Sequence, residues 1–474
     1  MQFVGREEER ALLTSCLKQN SSRLVAVYGR RRIGKTFLIR NAFDNHILID
    51  HTGLHGGNLA AQLNHFHQSL LKAGCRTATE SPRSWMAAFS MLEIFLSGMD
   101  QKVKKIIFLD ELPWMDTPRS GFLMAFENFW NSCCSRRTDM VVVICGSAAS
   151  WMINNITRNK GGLHNRVTEK INLKAFSLRE TEIFLKAKGV KWTRYDMVQL
   201  YMITGGIPFY LDQVHKGESV AQFTDRVCFT ENGALYSEFN DLFASLFDRS
   251  TQHYSVIGAL AKVKSGLDRN QLLKKSEMPS GGGLTRITDE LLASGFITKQ
   301  LPLDGNTNKA VFRISDPFVL FYYQFMHHTK TFGKGSWLKK AVQPQWISWT
   351  GLAFETVCML HSQQILKALQ LTAVYTEIST WRGKHENEGA QADLVIERAD
   401  RIIHICEAKF SKAPFTIDKK YAGELRKKTD IFSQQKEAKG KSIFLTMITT
   451  YGVTENGYKQ ELVQNELTMD DLFL

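Results

Sequence analysis

Gly29, Gly34, Lys35 and Thr36 stand in the spacing Gly-x-x-x-x-Gly-Lys-Thr within LVAVYGRRRIGKTFLIR, residues 24–40. Each residue type there has a use in holding phosphate. The glycines let backbone N–H groups converge on phosphate oxygens at the positive end of a helix dipole. Lys35 has the reach for β- and γ-phosphates, and the Thr36 hydroxyl can ligate Mg²⁺. The apolar run at 24–28 reads as a buried strand and the chain turns helical from Thr36, which is the strand–loop–helix setting that this spacing needs. Binding of ATP or GTP is the expectation.

Hydrolysis needs acids as well. The run at 103–109 is basic, then apolar, and ends in Asp110-Glu111. A strand ending this way delivers an acidic pair to the carboxyl edge of a parallel sheet, where ligands bind. Asp110 would hold Mg²⁺ directly or through water, and Glu111 would orient or deprotonate the attacking water. A further strand at 140–145 ends in Gly146-Ser147. Ser147 stands where such ATPases place a polar residue that senses the γ-phosphate, and capping of the next helix accounts for it equally. Arg166, just before a strand at 170–173, is a candidate arginine finger that would neutralise charge developing on the phosphates; the alternative is an ordinary surface arginine.

A second constellation lies near the C-terminus. Glu355 falls on an amphipathic helix, Asp393 opens an apolar strand at 394–396, and after a short turn the strand at 402–406 ends Glu407-Ala408-Lys409. A period of two puts Glu407 and Lys409 on one strand face. If the two strands pair as a hairpin, Asp393 and Glu407 meet, and two carboxylates plus a lysine suit metal-assisted phosphodiester hydrolysis. The carboxylates would bind Mg²⁺, Glu355 would complete the metal shell, and Lys409 would position water or stabilise developing charge. The lysines and arginine between 412 and 441 suit a surface that tracks phosphates, or a solvated helix face.

A chain of 474 residues is too long for one ordinary core. Hydrophobic and charged contents of 43% and 23% exclude disorder as the default. The net charge of +13 makes an anionic partner, nucleic acid first, plausible without deciding it. Eight cysteines without C-x-x-C pairs argue against a zinc site or disulfide framework, and the apolar runs are too short for a membrane span. A reduced, cytoplasmic protein is expected.

The elements follow in order. A helix carries Leu12, Leu13 and Leu17 inward before the phosphate loop; a strand at 46–50, a Gly-rich turn and an amphipathic helix to about 72 follow it. From Ser177 the chain is predicted helical to about 247, broken at Gly205-Gly206-Ile207-Pro208, because proline lacks an N–H and is tolerated only in a first turn. Helices at 254–261, 268–275 and 285–294 with a hairpin through Asp304-Gly305-Asn306 to 311–314 predict a winged helix. Its third helix would enter a DNA major groove, with Arg286 and Lys299 on phosphates, or the domain serves as an intramolecular spacer. The aromatic run at 316–325 reads as core in preference to a stacking platform.

The order of these motifs, Phe3, Gly5, Arg6 and Glu9, then Gly-Arg-Arg-Arg-Ile-Gly-Lys-Thr, Leu-Asp-Glu, Gly-Ser, Gly-Ile-Pro, a winged helix and Glu/Asp/Glu-x-Lys, resembles the archaeal-type ATPase family, AAA+-related STAND NTPases. Their C-terminal domain resembles a PD-(D/E)XK nuclease, with Ala392 here in place of the proline. The resemblance implies a multidomain α/β protein. It comprises a P-loop NTPase core with a parallel sheet (1–175), a helical lid (176–249), a winged helix (250–325) and a restriction-endonuclease-like α/β domain (326–474). It implies ATP with Mg²⁺, and places Phe3, Val4, Gly5 and Arg6, the loop residues Arg32 and Ile33, then Phe37, Ser147 and Pro208 around the nucleotide. Two functional readings follow. In the first, the nucleotide cycle controls a metal-dependent DNA nuclease. In the second, nucleotide state switches assembly and the C-terminal domain only binds DNA or a protein partner. ATP and DNA are the expected partners, no membrane is expected, and self-association is left open.

Overall fold

A computed structural model describes residues 3–76, 79–158, 161–163, 165–247, 250–279, 282–329, 333–385 and 388–474; the side chains of residues 45, 384, 385, 388 and 393 are outside this description. The chain divides into two compact units, Met1–Lys174 and Ala175–Leu474.

The first unit is built on a five-stranded parallel sheet in the order β2-β3-β4-β1-β5. Its strands are β1 (Arg23–Tyr28), β2 (Ile47–Thr52), β3 (Lys105–Asp110), β4 (Met140–Gly146) and β5 (Glu169–Asn172). The helices are α1 (Glu7–Ser15), α2 (Lys35–Phe43), α3 (Leu59–Lys72), α4 (Trp85–Ser97), α5 (Leu112–Met115), α6 (Phe122–Ser132) and α7 (Ala149–Met152). Every residue of β3 and β4 is buried, as expected of central parallel strands covered on both faces. In register, Tyr28 lies beside Gly146 on one side and Asn172 on the other, and Thr52 beside Asp110. The strands therefore end level, which brings the loops after β1, β3 and β4 to one edge. The third strand starts two residues later than its apolar pattern suggests. Val103 is exposed, whereas Lys105 is buried because its ammonium pairs with Asp139 at 2.7 Å.

The second unit opens with α8 (Leu178–Ala187), α9 (Arg194–Thr204), α10 (Pro208–Asp212), α11 (Val220–Cys228) and α12 (Glu238–Leu246). Capping boxes at Ser177/Glu180, Thr193/Asp196 and Ser219/Gln222 start three of them. Gly205 ends α9 in the left-handed region, and Pro208 opens α10. Gly206 is a close-packing position as well: a Cβ there would lie 2.2 Å from the Phe176 carbonyl oxygen, at φ +69°.

Next come α13 (Ser250–Ala261), α14 (Arg269–Lys275) and α15 (Gly282–Ala293) with β6 (Leu267–Asp268), β7 (Ile297–Gln300) and β8 (Val311–Ile314) in an antiparallel sheet of order β6-β8-β7. The aromatic segment forms α16 (Pro317–Phe321) and a π-helical turn at Tyr322–Met326. Phe318, Phe321 and Phe325 are core, as the sequence reading expects, while Tyr322 and Tyr323 are half-buried. After α17 (Ser336–Lys340), α18 (Pro344–Leu360) and α19 (Ser362–Ala368), a second five-stranded sheet follows in the order β13-β12-β11-β10-β9. It comprises β9 (Thr376–His385), β10 (Glu388–Arg398), β11 (Ile402–Lys409), β12 (Ser442–Thr449) and β13 (Asn465–Thr468). β9, β10 and β11 run antiparallel, and β11, β12 and β13 parallel. The crossover from β11 to β12 is α20 (Lys419–Ser433); α21 (Gly457–Leu462) precedes β13.

Candidate nucleotide site and the second acidic strand pair

The phosphate loop is held open by backbone conformation. Gly34 takes φ +89° and Arg32, at φ +70°, shares the left-handed region that non-glycine residues rarely enter. Gly29 is required for a reason beyond ligand approach: a Cβ there would sit 2.4 Å from the Leu173 carbonyl oxygen and 2.8 Å from Cδ1 of the buried Ile33. Lys35 is buried and folds back over the loop, its ammonium donating to the carbonyls of Gly29 and Arg30 at 3.0 Å each. It thus stands at the centre of the loop.

Thr36 and the acidic pair meet as the spacing predicts. Thr36 Oγ1 donates to Asp110 Oδ2 at 2.7 Å, and the Glu111 N–H donates to Asp110 Oδ1 at 3.0 Å, so both oxygens of this buried carboxylate are fixed. Glu111 itself is left-handed, at φ 48° and ψ 49°. Its Oε2 accepts two hydrogen bonds from Ser147, from the N–H at 3.0 Å and from Oγ at 2.8 Å. Ser147 does not cap the next helix: the cap residue of α7 is Ala148, without a side-chain bond. Its hydroxyl instead holds Glu111, a partner that spacing alone gave no means of naming.

The N-terminal stretch reaches the same neighbourhood. The Phe3 ring stacks on Phe37, in the first turns of α2, with centroids 5.9 Å apart, and the Arg10 guanidinium lies 5.3 Å over Phe3. Val4 is half-buried, Gly5 is left-handed, and the buried, left-handed Arg6 donates to the Lys174 carbonyl. Arg166 is exposed in the turn before the edge strand β5, its N–H bonded to Leu163 O at 3.0 Å. Pro208 belongs to the second unit.

Residues 3–214 match the family model described as an ATPase domain predominantly from Archaea. Over this segment the chain is similar to archaeal-type P-loop ATPase domains. An uncharacterised protein of Methanocaldococcus jannaschii is 26% identical over 400 residues, 83% of this chain and 84% of that protein. An uncharacterised ATP-binding protein of the same organism is 44% identical over 43 residues, 9% of this chain and 73% of its own length. Among solved structures, the Walker-type ATPase of Pyrococcus abyssi matches at 16% identity and TM-score 0.48, covering 68% of this chain and 96% of its own. The ORC2 protein of Aeropyrum pernix matches at 13% and 0.41, covering 68% and 93%. Thr36 and Asp110 offer a hydroxyl beside a carboxylate, a hard-oxygen donor set that fits Mg²⁺.

At the C-terminal constellation, β10 and β11 do form an antiparallel hairpin, with Leu394 opposite Cys406. Asp393 lies one residue beyond that pair and its side chain lies outside the described residues. Glu407 is buried, ion-paired with Lys428 of α20, and accepts from Tyr421 Oη at 3.3 Å. The Lys409 ammonium stands 4.8 Å over the Tyr421 ring. Glu355, on α18, faces Arg313 at 3.9 Å. Among the described residues, no group of three or more His, Cys, Asp and Glu side chains could hold a metal ion, and no helix is long and apolar enough to cross a membrane.

Proposed function

We propose that the protein is a Mg²⁺-dependent ATPase whose hydrolysis cycle controls nucleic-acid engagement by its second unit. The reading is carried by one observation, the linked set Thr36–Asp110–Glu111–Ser147, which joins a hydroxyl–carboxylate pair suited to Mg²⁺ to a held carboxylate at the edge where the glycine-rich loop lies. Lys35 and the loop N–H groups bind the β- and γ-phosphates. Thr36 and Asp110 hold Mg²⁺, which supplies charge neutralisation on those phosphates. Glu111 orients the attacking water and takes its proton. Ser147 positions Glu111, and Arg166 is exposed enough to act on a phosphate from outside the loop. Phe3, Val4 and Phe37 flank the base.

For the second unit, the finer reading is a PD-(D/E)XK-like DNA nuclease with Asp393, Glu407 and Glu355 on metal and Lys409 on the water. The strand order and the hairpin of β10 with β11 support it. A second reading, binding without cleavage under a nucleotide-dependent switch, is favoured by Lys428, which neutralises Glu407 where a metal would otherwise do so. One experiment separates them: DNA incubated with Mg²⁺ or Mn²⁺, with and without ATP, using wild type, Lys35→Ala and Lys409→Ala. Lys35→Ala abolishes ATP turnover; normal turnover in it would sink the ATPase reading. Cleavage lost in Lys409→Ala establishes the nuclease, and wild-type inertness on single- and double-stranded DNA leaves the switch.

A further inference from the structure

Two cavities in the second unit adjoin, one of about 780 Å³ and one of about 550 Å³, both within the size of ordinary ligand pockets. They share Lys262, Val263 and Lys264, in the turn between α13 and β6, together with Arg313 and Leu352. Their linings differ in chemistry. The larger presents Tyr254, Tyr322, Tyr323, His327, His328 and Trp349. The smaller presents Lys309, Arg313 and Arg382 with the shared lysines, and among the described residues that line it Glu355 is the one acid.

Among the described residues, cations outnumber acids on this side. Lys309 is matched by Asp304 at 2.9 Å and Arg313 by Glu355 at 3.9 Å, while Arg382 donates to the Ser265 carbonyl. Lys262 and Lys264 are exposed. Burial first, and then the neighbouring Arg313, hold the Arg382 guanidinium below its ordinary range. On the aromatic side, burial, His328 and Lys262 depress His327, so the imidazole is favoured as a neutral ring. A π-helical turn, a feature frequent at functional sites, carries Tyr322 and Tyr323 to the cavity.

We propose that this pair of cavities binds one unpaired nucleotide of a nucleic-acid strand, its base among Tyr254, Tyr322 and Tyr323 and its flanking phosphates at Lys262, Lys264, Arg313 and Arg382. Aromatic faces that take a base beside cations that track the backbone are the means by which proteins hold single strands. The assignment rests on the reading of the second unit as nucleic-acid-engaging, and it places the strand beside Glu355 and Ala392, which line the smaller cavity.

The test is fluorescence anisotropy of a labelled 20-nucleotide oligothymidylate with the full chain in EDTA without ATP, so that binding is read independently of cleavage and hydrolysis. Wild type binds, and K262E/K264E weakens binding at least tenfold. It also lowers the slope of log affinity against log salt by about 1.4, from ~0.7 per lost single-strand contact. Tyr323→Ser weakens binding by about five- to a hundredfold, the range for one lost base stack, while Tyr323→Phe retains it. ATP turnover and thermal melting of the lysine variant match wild type. Oligonucleotide binding that ignores both kinds of variant overturns the site, as does equal affinity for a duplex of the same length. Displacement of the oligonucleotide from this site by micromolar free nucleotide would assign the cavities to a small ligand and overturn the strand. Intact binding without cleavage in Mg²⁺ would defeat the nuclease reading alone.

Discussion

Glu111→Gln isolates the role assigned to the held carboxylate. Glutamine keeps the shape, and its amide oxygen can still accept from the Ser147 N–H and hydroxyl at the positions now 3.0 and 2.8 Å from Oε2. The main chain at φ 48° and its bond to Asp110 are unaffected by the change. What is lost is the negative charge and the capacity to take a proton. General-base catalysis contributes about 10²–10⁴, which corresponds to roughly 3–5 kcal/mol of transition-state stabilisation. The variant is therefore expected to bind a fluorescent ATP analogue with Kd within about threefold of wild type, since Lys35, Thr36 and Asp110 are untouched, and to release phosphate at saturating Mg-ATP at least ~10²-fold more slowly. Ser147→Ala is the graded companion. It deletes the 2.8 Å bond and leaves the N–H, and one hydrogen bond to a charged acceptor is worth about 1.5–3 kcal/mol, so a roughly ten- to hundredfold fall in kcat is expected with unchanged Kd. A kcat for Glu111→Gln within about threefold of wild type would refute the base assignment. A Kd that worsened as much as kcat would make Glu111 a binding residue instead.

Two further outcomes test the fold beneath the sites. Asp139 is wholly buried between Lys105, at 2.7 Å, and Arg137, whose Nε and Nη2 lie 2.8 and 2.7 Å away; burial raises its carboxyl, and these bonds more than offset that and hold it below the ordinary range. Asp139→Asn leaves two buried cations short of charge and should cost about 3 kcal/mol in urea unfolding, whereas a loss under ~1 kcal/mol would show that the pair is solvated. His361 is buried, accepting from the Leu178 N–H at 3.0 Å through Nε2 and donating through Nδ1 to Val357 O at 2.8 Å, and burial lowers it to about 4. The unfolded state then takes up a proton below pH ~6.5 that the folded state excludes until about 4, so stability falls as pH falls through that window. In His361→Gln the slope of unfolding free energy there should be flatter by up to one proton, about 1.36 kcal/mol per pH unit, and an unchanged slope would exclude the histidine.

The grouping of Lys35, Thr36, Asp110 and Glu111 was legible because these residues lie in one loop or at strand ends. A phosphate loop needs its glycines, lysine and threonine in one short stretch, and the register that ends β1, β3 and β4 level then carries Asp110 and Glu111 to it. Helices α4 and α6 are missing from the sequence reading, although Trp85, Ala88, Phe89, Leu92 and Leu96, and Phe122, Ala125, Phe126 and Phe129, do follow a helical period. Exposed Met86, Ile94 and Met124 interrupt the polar faces that would have marked it. At the C-terminal hairpin the two strands pair as read, and the alternation of two holds for Glu407 and Lys409, which both meet Tyr421. It could not give Lys428, which arrives from α20 to meet Glu407, or Tyr421, over which Lys409 lies.

By itself, then, the sequence determined what depends on spacing along one element: the glycine-rich loop between strand and helix, the acids at strand ends, and the proline and glycine breaks. The tertiary structure alone decided which partner each charged group meets, because an ion pair or a shared cavity depends on residues far apart in the chain. Ser147 on Glu111, Lys428 on Glu407, and the meeting of Lys262 and Lys264 with Tyr322, Tyr323 and Arg382 are all of that kind.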